Sequence, residues 1–139
     1  MTYSKSMQMD LVIDFLIGPT EEECKRMKLP FTPDSSNAMI DEFDIQSIAS
    51  KMPSLRYGET DWFCLPIKKI VEKGVESRNE WSSSLFHDTS GLGPFTPDDI
   101  AEMGRALVSR LINRLMKYGA GQRVEACVYP NGHYGFRWR

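Results

Sequence analysis

Two histidines and three cysteines in 139 residues leave few ways to build a reactive centre. Cys24, Cys64 and Cys127 are far apart, odd in number and without C-x-x-C spacing. That excludes a disulfide framework and points to free thiols in a reducing cytoplasm. His87, Asp88, Cys127 and His133 are the best candidate ligands, yet no pair has the spacing of zinc ligands, so neither a metal site nor a cofactor is expected. The longest apolar stretch, within "MQMDLVIDFLIG", is short and carries two aspartates, too little to span a bilayer, and no cleavable leader pattern opens the chain. No membrane partner is expected. "TSGLGP" at 89–94 lacks the Gly-Lys-Ser/Thr ending of a phosphate loop, and no apolar strand leads into it. A strongly basic balance is missing too, since the isoelectric point is about 5.7, which weighs against nucleic acid as the partner.

What is present is an ordinary globular composition, 41% apolar and 26% charged, with enough length for one domain over residues 1–139 and a real core. The net charge of −2 hides an asymmetry. Residues 1–99 hold ten Lys/Arg against seventeen Asp/Glu, and residues 100–139 hold seven against two. Either the halves neutralise each other in the fold, or the split orients the molecule toward a charged partner.

The spacing of apolar residues predicts an α+β fold. Met7, Met9, Leu11, Ile13, Phe15 and Ile17 alternate as in a strand, although Met9, Val12, Ile13 and Leu16 also trace a helical stripe. The strand is the reading adopted, because "GPT" then turns into a separate short helix opened by Thr20 with Glu23. Ile45, Ile48, Ala49 and Met52 have helical spacing behind an Asp44 cap and before Pro53. "DWFCLPIKKIVEKG" reads as a helix interrupted or begun near Pro66 and closed by Gly74, and residues 75–93 as loop. Thr96, Pro97, Asp98 and Asp99 are a strong start signal for a long helix, about 97–118, apolar over more than half its circumference and so central. A C-terminal hairpin, 123–139, turns at Pro130–Gly132. Val124, Ala126, Val128, Tyr134, Phe136 and Trp138 fall on one face, and Arg123, Glu125, Cys127, Tyr129, His133, Arg137 and Arg139 on the other. The alternative is a mainly α body with an appended hairpin. "PFTPD" occurs at 30–34 and again at 94–98; the repeat reads as one helix-entry device used twice, with residues 33–43 helical after the first copy.

No catalytic constellation emerges, and His87 beside Asp88 is the only basis for reading a small hydrolase. The basic set carries more. Arg110, Arg114 and Lys117 follow i, i+4, i+7 spacing along one edge of the long helix, and Arg123, Arg137 and Arg139 are interleaved with Tyr129, His133 and Trp138 on the hairpin. Arginine beside tyrosine and tryptophan is the composition of protein–protein hot spots. The reading is therefore a cytoplasmic protein-binding module that acts by contact, of the inhibitor, immunity, counter-defence or accessory-subunit kind, whose partner presents an acidic surface. Basic residues beside aromatics also bind phosphates and stack bases, so the second reading is a nucleic-acid-binding accessory protein using the same surface.

Overall fold

Thr96 opens the helix around which the core is built. In a computed structural model, its hydroxyl accepts from the Asp99 amide while the Asp99 carboxylate accepts from the Thr96 amide, a reciprocal box that satisfies two otherwise orphaned donors. The structure describes residues 3–19, 21–28, 38–54, 61–86 and 91–139. Within them the order is α1 (Lys5–Leu16), α2 (Glu21–Met27), α3 (Glu42–Lys51), β1 (Phe63–Leu65), α4 (Ile67–Phe86), α5 (Pro97–Leu115), a 3-10 turn (Met116–Tyr118), β2 (Val124–Val128) and β3 (Tyr134–Trp138). The fold is α+β: helices around α5, with a small antiparallel sheet ordered β1-β3-β2. None of the described helices is long and apolar enough to cross a membrane.

From α5, Met103, Leu107, Leu111 and Leu115 are fully buried, and Gly104 brings the helix close to Ile67 of α4. They meet Val12 and Leu16 of α1, Ile45 of α3, Val71 of α4 and Phe136 of β3 in one cluster. These side chains remove apolar area from water on several sides of α5, as its broad apolar arc requires.

The N-terminal segment is a helix, which corrects the strand expected for residues 7–17. Of its two competing patterns the helical stripe wins: Met9, Val12, Ile13 and Leu16 are the buried set, while Met7 is 52% exposed. Ser4 caps it, accepting from the Met7 amide. Two boundaries also move. The cap of α3 is Asp41, with Asp44 as its reciprocating partner three residues in, not the cap itself. Consistent with that start, residues 38–41 are not helical, residues 42–43 of the helix expected at 33–43 belong to α3, and residues 33–37 lie outside the described residues. So do Thr20 and the first PFTPD.

The second correction is larger. Residues 75–86, expected as loop, continue α4 through Gly74. That glycine is not a stop signal but a contact: a Cβ there would lie 2.6 Å from Cδ2 of Leu16. A bare backbone lets α1 and α4 approach, and the packing gained outweighs the roughly 1 kcal/mol cost of glycine in a helix.

The hairpin forms as expected, with Gly132 at φ 85° in the turn and Val124↔Trp138, Ala126↔Phe136 and Val128↔Tyr134 in register. Its third strand is β1, paired Phe63↔Phe136 and Leu65↔Tyr134, in a stretch read from sequence as the approach to a helix. The inner face is tied to α3 where the Trp138 indole N–H donates to the Ala49 carbonyl at 3.1 Å. Pro66 ends β1 and starts α4, so the outer face of the sheet is fixed within one residue of the helical body.

Candidate functional site

Alternation along three strands decides which side chains face outward. Glu125 and Cys127 on β2, Gly135 and Arg137 on β3 and Cys64 on β1 share the outer face, with Glu125↔Arg137 directly opposed. Tyr129 and His133 continue it at the turn, where the Tyr129 amide donates to the His133 carbonyl at 2.8 Å. Trp62 continues it before β1. This face stays open to solvent: Cys64 is exposed, and Trp62, Cys127, Tyr129, His133 and Arg137 are each half-buried.

Arg137 is held on three sides. Its Nε and Nη2 donate to Glu125 Oε2 and Oε1 at 3.2 and 3.1 Å, a fork-to-fork pair. Its guanidinium carbon lies 3.9 Å from the centroid of the Trp62 ring, a stacking distance. The pair lowers the Glu125 carboxyl below its ordinary value of 4.5, the Arg137 hydrogen bond being the main cause and Arg139 adding a smaller attraction.

Beyond Arg137 the face changes chemistry. Cys64 and Cys127 both pair with Gly135, one from each side. A Cβ on Gly135 would lie 2.9 Å from Trp62 Cβ and 3.1 Å from Cys127 Sγ, so both side chains lean over the glycine. Hydrogen bonding to the Cys127 thiol, then burial, then the influence of Cys127 and Cys64 as neighbouring acids push the Tyr129 phenol up to about 12. His133 Nδ1 is enclosed without a hydrogen-bond partner.

The residues singled out from sequence fall in two places. Arg123, Tyr129, His133, Arg137 and Arg139 belong to the sheet. Arg110 and Arg114 on α5 and Lys117 on the 3-10 turn that follows it lie against the acidic N-terminal half. There Arg110 Nη1 meets Asp14 at 2.7 Å and the Ile17 carbonyl at 2.9 Å. Arg114 Nε is 3.7 Å from Glu23, and Lys117 is 3.2 Å from Glu42. Internal neutralisation is thus what these three make. Arg114 and Lys117 border an open cleft of ≈ 510 Å³ lined also by Glu21, Glu22, Arg26 and Glu42, in which signs alternate and no single charge dominates. Glu42 also accepts from the Tyr118 hydroxyl.

Trp62 and Cys64 were not found from sequence. A three-residue strand has no period to detect, and the one available signal was Pro66, which holds the residue before it extended. His87 and Asp88, the basis of the hydrolase reading, lie outside the described residues. Among the described residues, no three of His, Cys, Asp and Glu gather closely enough to hold a metal ion. The chain matches no known family model, no curated protein and no solved structure, so what this surface does is argued from its own geometry.

Proposed function

We propose that the chain is a small cytoplasmic protein-binding module that acts by contact, through the outer face of its sheet, on a partner with an acidic surface. The observation that carries this reading is Arg137, stacked on Trp62 and pinned by Glu125 on a solvent-open strand face. An arginine already immobilised by a ring and a carboxylate loses little conformational entropy when a partner covers it. Tryptophan, tyrosine and arginine in one patch are the residue types that dominate binding energy at protein interfaces. Exposed Arg123 and Arg139 at the end of the hairpin add positive charge at the rim, where charge steers encounter more than it adds affinity. The free thiols agree with a reducing compartment. Inhibition, immunity, counter-defence or service as an accessory subunit are all tasks such a face performs without catalysis.

Nucleic acid is the second reading, and the same charges favour it less. Arg110, Arg114, Lys117 and Arg137 each have a carboxylate beside them, so phosphates would have to displace those partners first.

The test is paired. Trp62→Ala and Arg137→Glu are compared with the parent chain in affinity capture from the source cells, with melting curves run alongside. A protein retained by the parent and lost from both folded variants supports the reading; a protein retained equally by all three rejects it. Binding to RNA or DNA that weakens steeply with salt would put the second reading first.

A further inference from the structure

The sheet has two edges, and they are finished differently. β1 is three residues long and ends against Pro66, and beyond it β3 is closed where the Trp138 amide donates to the Pro53 carbonyl at 2.8 Å. A short strand and a proline protect an edge from further pairing. β2 has neither protection. It pairs with β3 over all of Val124–Val128 without a bulge. The Tyr129 amide donates to the His133 carbonyl, and the Arg139 amide to the Arg123 carbonyl, each at 2.8 Å. Bonded and unbonded residues alternate in an antiparallel pair, so the odd-numbered residues of this strand turn their backbone groups toward β3. Val124, Ala126 and Val128 turn theirs outward, where no backbone group of the described residues meets them.

Nothing along that edge repels a further strand. Its one charged side chain, Glu125, is drawn toward the centre of the sheet by Arg137. Val128 belongs to the inner, apolar face, yet at the free corner it is 63% exposed. The edge is also its own complement. With Ala126 set opposite Ala126 of a second copy, Val124 and Val128 exchange both backbone bonds with Val128 and Val124 of that copy, and each exposed valine is covered. On the outer face Glu125 then meets Cys127, and Arg123 meets Tyr129, so no like charges are opposed. The neighbouring registers are worse. One sets Glu125 against Glu125, a destabilising pair; the other sets Val124 against Pro130, which has no N–H to give.

We propose that the chain forms a two-fold dimer through β2, which joins two sheets into one in the order β1-β3-β2-β2-β3-β1. An edge this short falls below the roughly 1,000 Å² of a stable interface, so the dimer is reversible, half-formed on the order of 10–100 μM. It sets two Arg137–Trp62 faces side by side on one surface. It does not depend on the protein-binding reading, and its test uses no other protein.

Sedimentation equilibrium of the full chain, with a thiol reductant present, is run from about 1 μM to about 1 mM. A passage from monomer to dimer is expected. Amide exchange followed by NMR reads the register: the Val124, Ala126 and Val128 amides should exchange freely in dilute protein and at least about tenfold more slowly in concentrated protein. Val128→Pro removes one outward donor, and Val128→Lys puts a charge at the corner, neither touching a bond to β3. Each is expected to weaken association at least about tenfold, with the melting temperature of the dilute protein little changed. If the proline variant fails to fold, the lysine variant decides. A chain that stays monomeric throughout overturns the proposal and leaves the edge to an extended segment of another protein. A dimer in which those three amides still exchange freely also overturns it, as does a Val128→Lys dimer as tight as the parent's.

Discussion

Two arginines in this molecule meet their carboxylates differently, one in the helical cleft and one on the sheet. Arg137 engages Glu125 through two hydrogen bonds and a ring. Arg114 approaches Glu23 only to 3.7 Å, and its Nε and Nη2 are enclosed without a hydrogen-bond partner. Their exposure is nearly the same, 13% and 10% of the side chain, so burial is not what separates them. Register is. Directly opposed strand residues face each other at fixed distance, whereas a helix edge and a neighbouring seven-residue helix bring charges together only as closely as backbone packing allows. Opposite charges therefore suffice to neutralise a surface, but a preorganised site needs a ladder behind it.

The largest effect would erase both regions at once. Leu111 is fully buried on α5 at the centre of the shared core, and Leu111→Asp leaves a carboxylate there without a partner. That cost exceeds several kcal/mol, comparable with the whole stability of a domain this size. No cooperative melting transition is expected; an unshifted one would show that α5 is not central.

The next effect separates the regions. Arg137→Met removes two charged hydrogen bonds and the stack on Trp62, and leaves Glu125 without its main partner. A loss of about 2 kcal/mol is expected. Arg114→Met removes a guanidinium whose Nε and Nη2 have no hydrogen-bond partner and replaces it with an apolar chain of similar length. The expected change is within about 1 kcal/mol, in the stabilising direction if the enclosed donors dominate. Double-mutant cycles for Arg137–Glu125 and Arg114–Glu23 sharpen the contrast: coupling is expected in the first and little in the second. Equal couplings would dissolve the comparison.

The same contrast explains what was legible in the sequence. Long apolar arcs and capping residues declared α5, and strict alternation declared the hairpin with its two faces. Segments held by tertiary contact did not declare themselves. Gly74 looks like a helix stop until Leu16 is seen to need the space, and residues 7–17 alternate like a strand until α4 and α5 select the helical stripe. On the sheet, the outward placement of Arg137, Tyr129 and Cys127 followed from parity alone. Trp62 and Cys64 did not, because β1 owes its existence to β3 rather than to any pattern of its own. The pairing of Arg110, Arg114 and Lys117 with the N-terminal acids was foreshadowed only by the charge split between the two ends of the chain.

A smaller effect tests the cleft by acid. Glu42 accepts from the Tyr118 hydroxyl and from Lys117, and its carboxyl is lowered from 4.5, the Tyr118 bond first among the causes. A lowered folded value means that the stabilisation is complete above the ordinary value and is lost as pH falls through 4.5 toward the folded one. Glu42→Gln should therefore flatten part of the acid limb of a stability–pH curve below about pH 5 and leave neutral pH little changed. Glu42 is half in solvent, so the change will be small. An acid limb identical in the two proteins would mean that the Tyr118 contact is not kept in solution.

The smallest effect concerns two phenols, one in each region, and is read by spectroscopy rather than by stability. Tyr118 is raised above its ordinary value of 10.0 chiefly because it donates to the Glu42 carboxylate. Tyr129 is pushed up to about 12, hydrogen bonding to the Cys127 thiol being the first cause. A raised folded value keeps the proton on the folded chain, so whatever each bond contributes is present below pH 10 and fades as pH rises past it, for Tyr129 toward 12. In an absorbance titration of the folded protein, Tyr129→Phe should remove the latest phenolate step. Cys127→Ser should move that step, because a serine hydroxyl does not ionise in this range and ends the repulsion between neighbouring acids. Glu42→Gln should leave it in place and advance only the Tyr118 step. Each phenol thus reports on its own region, and a variant in one region that shifted the phenol of the other would show that the cleft and the sheet face are coupled through α5.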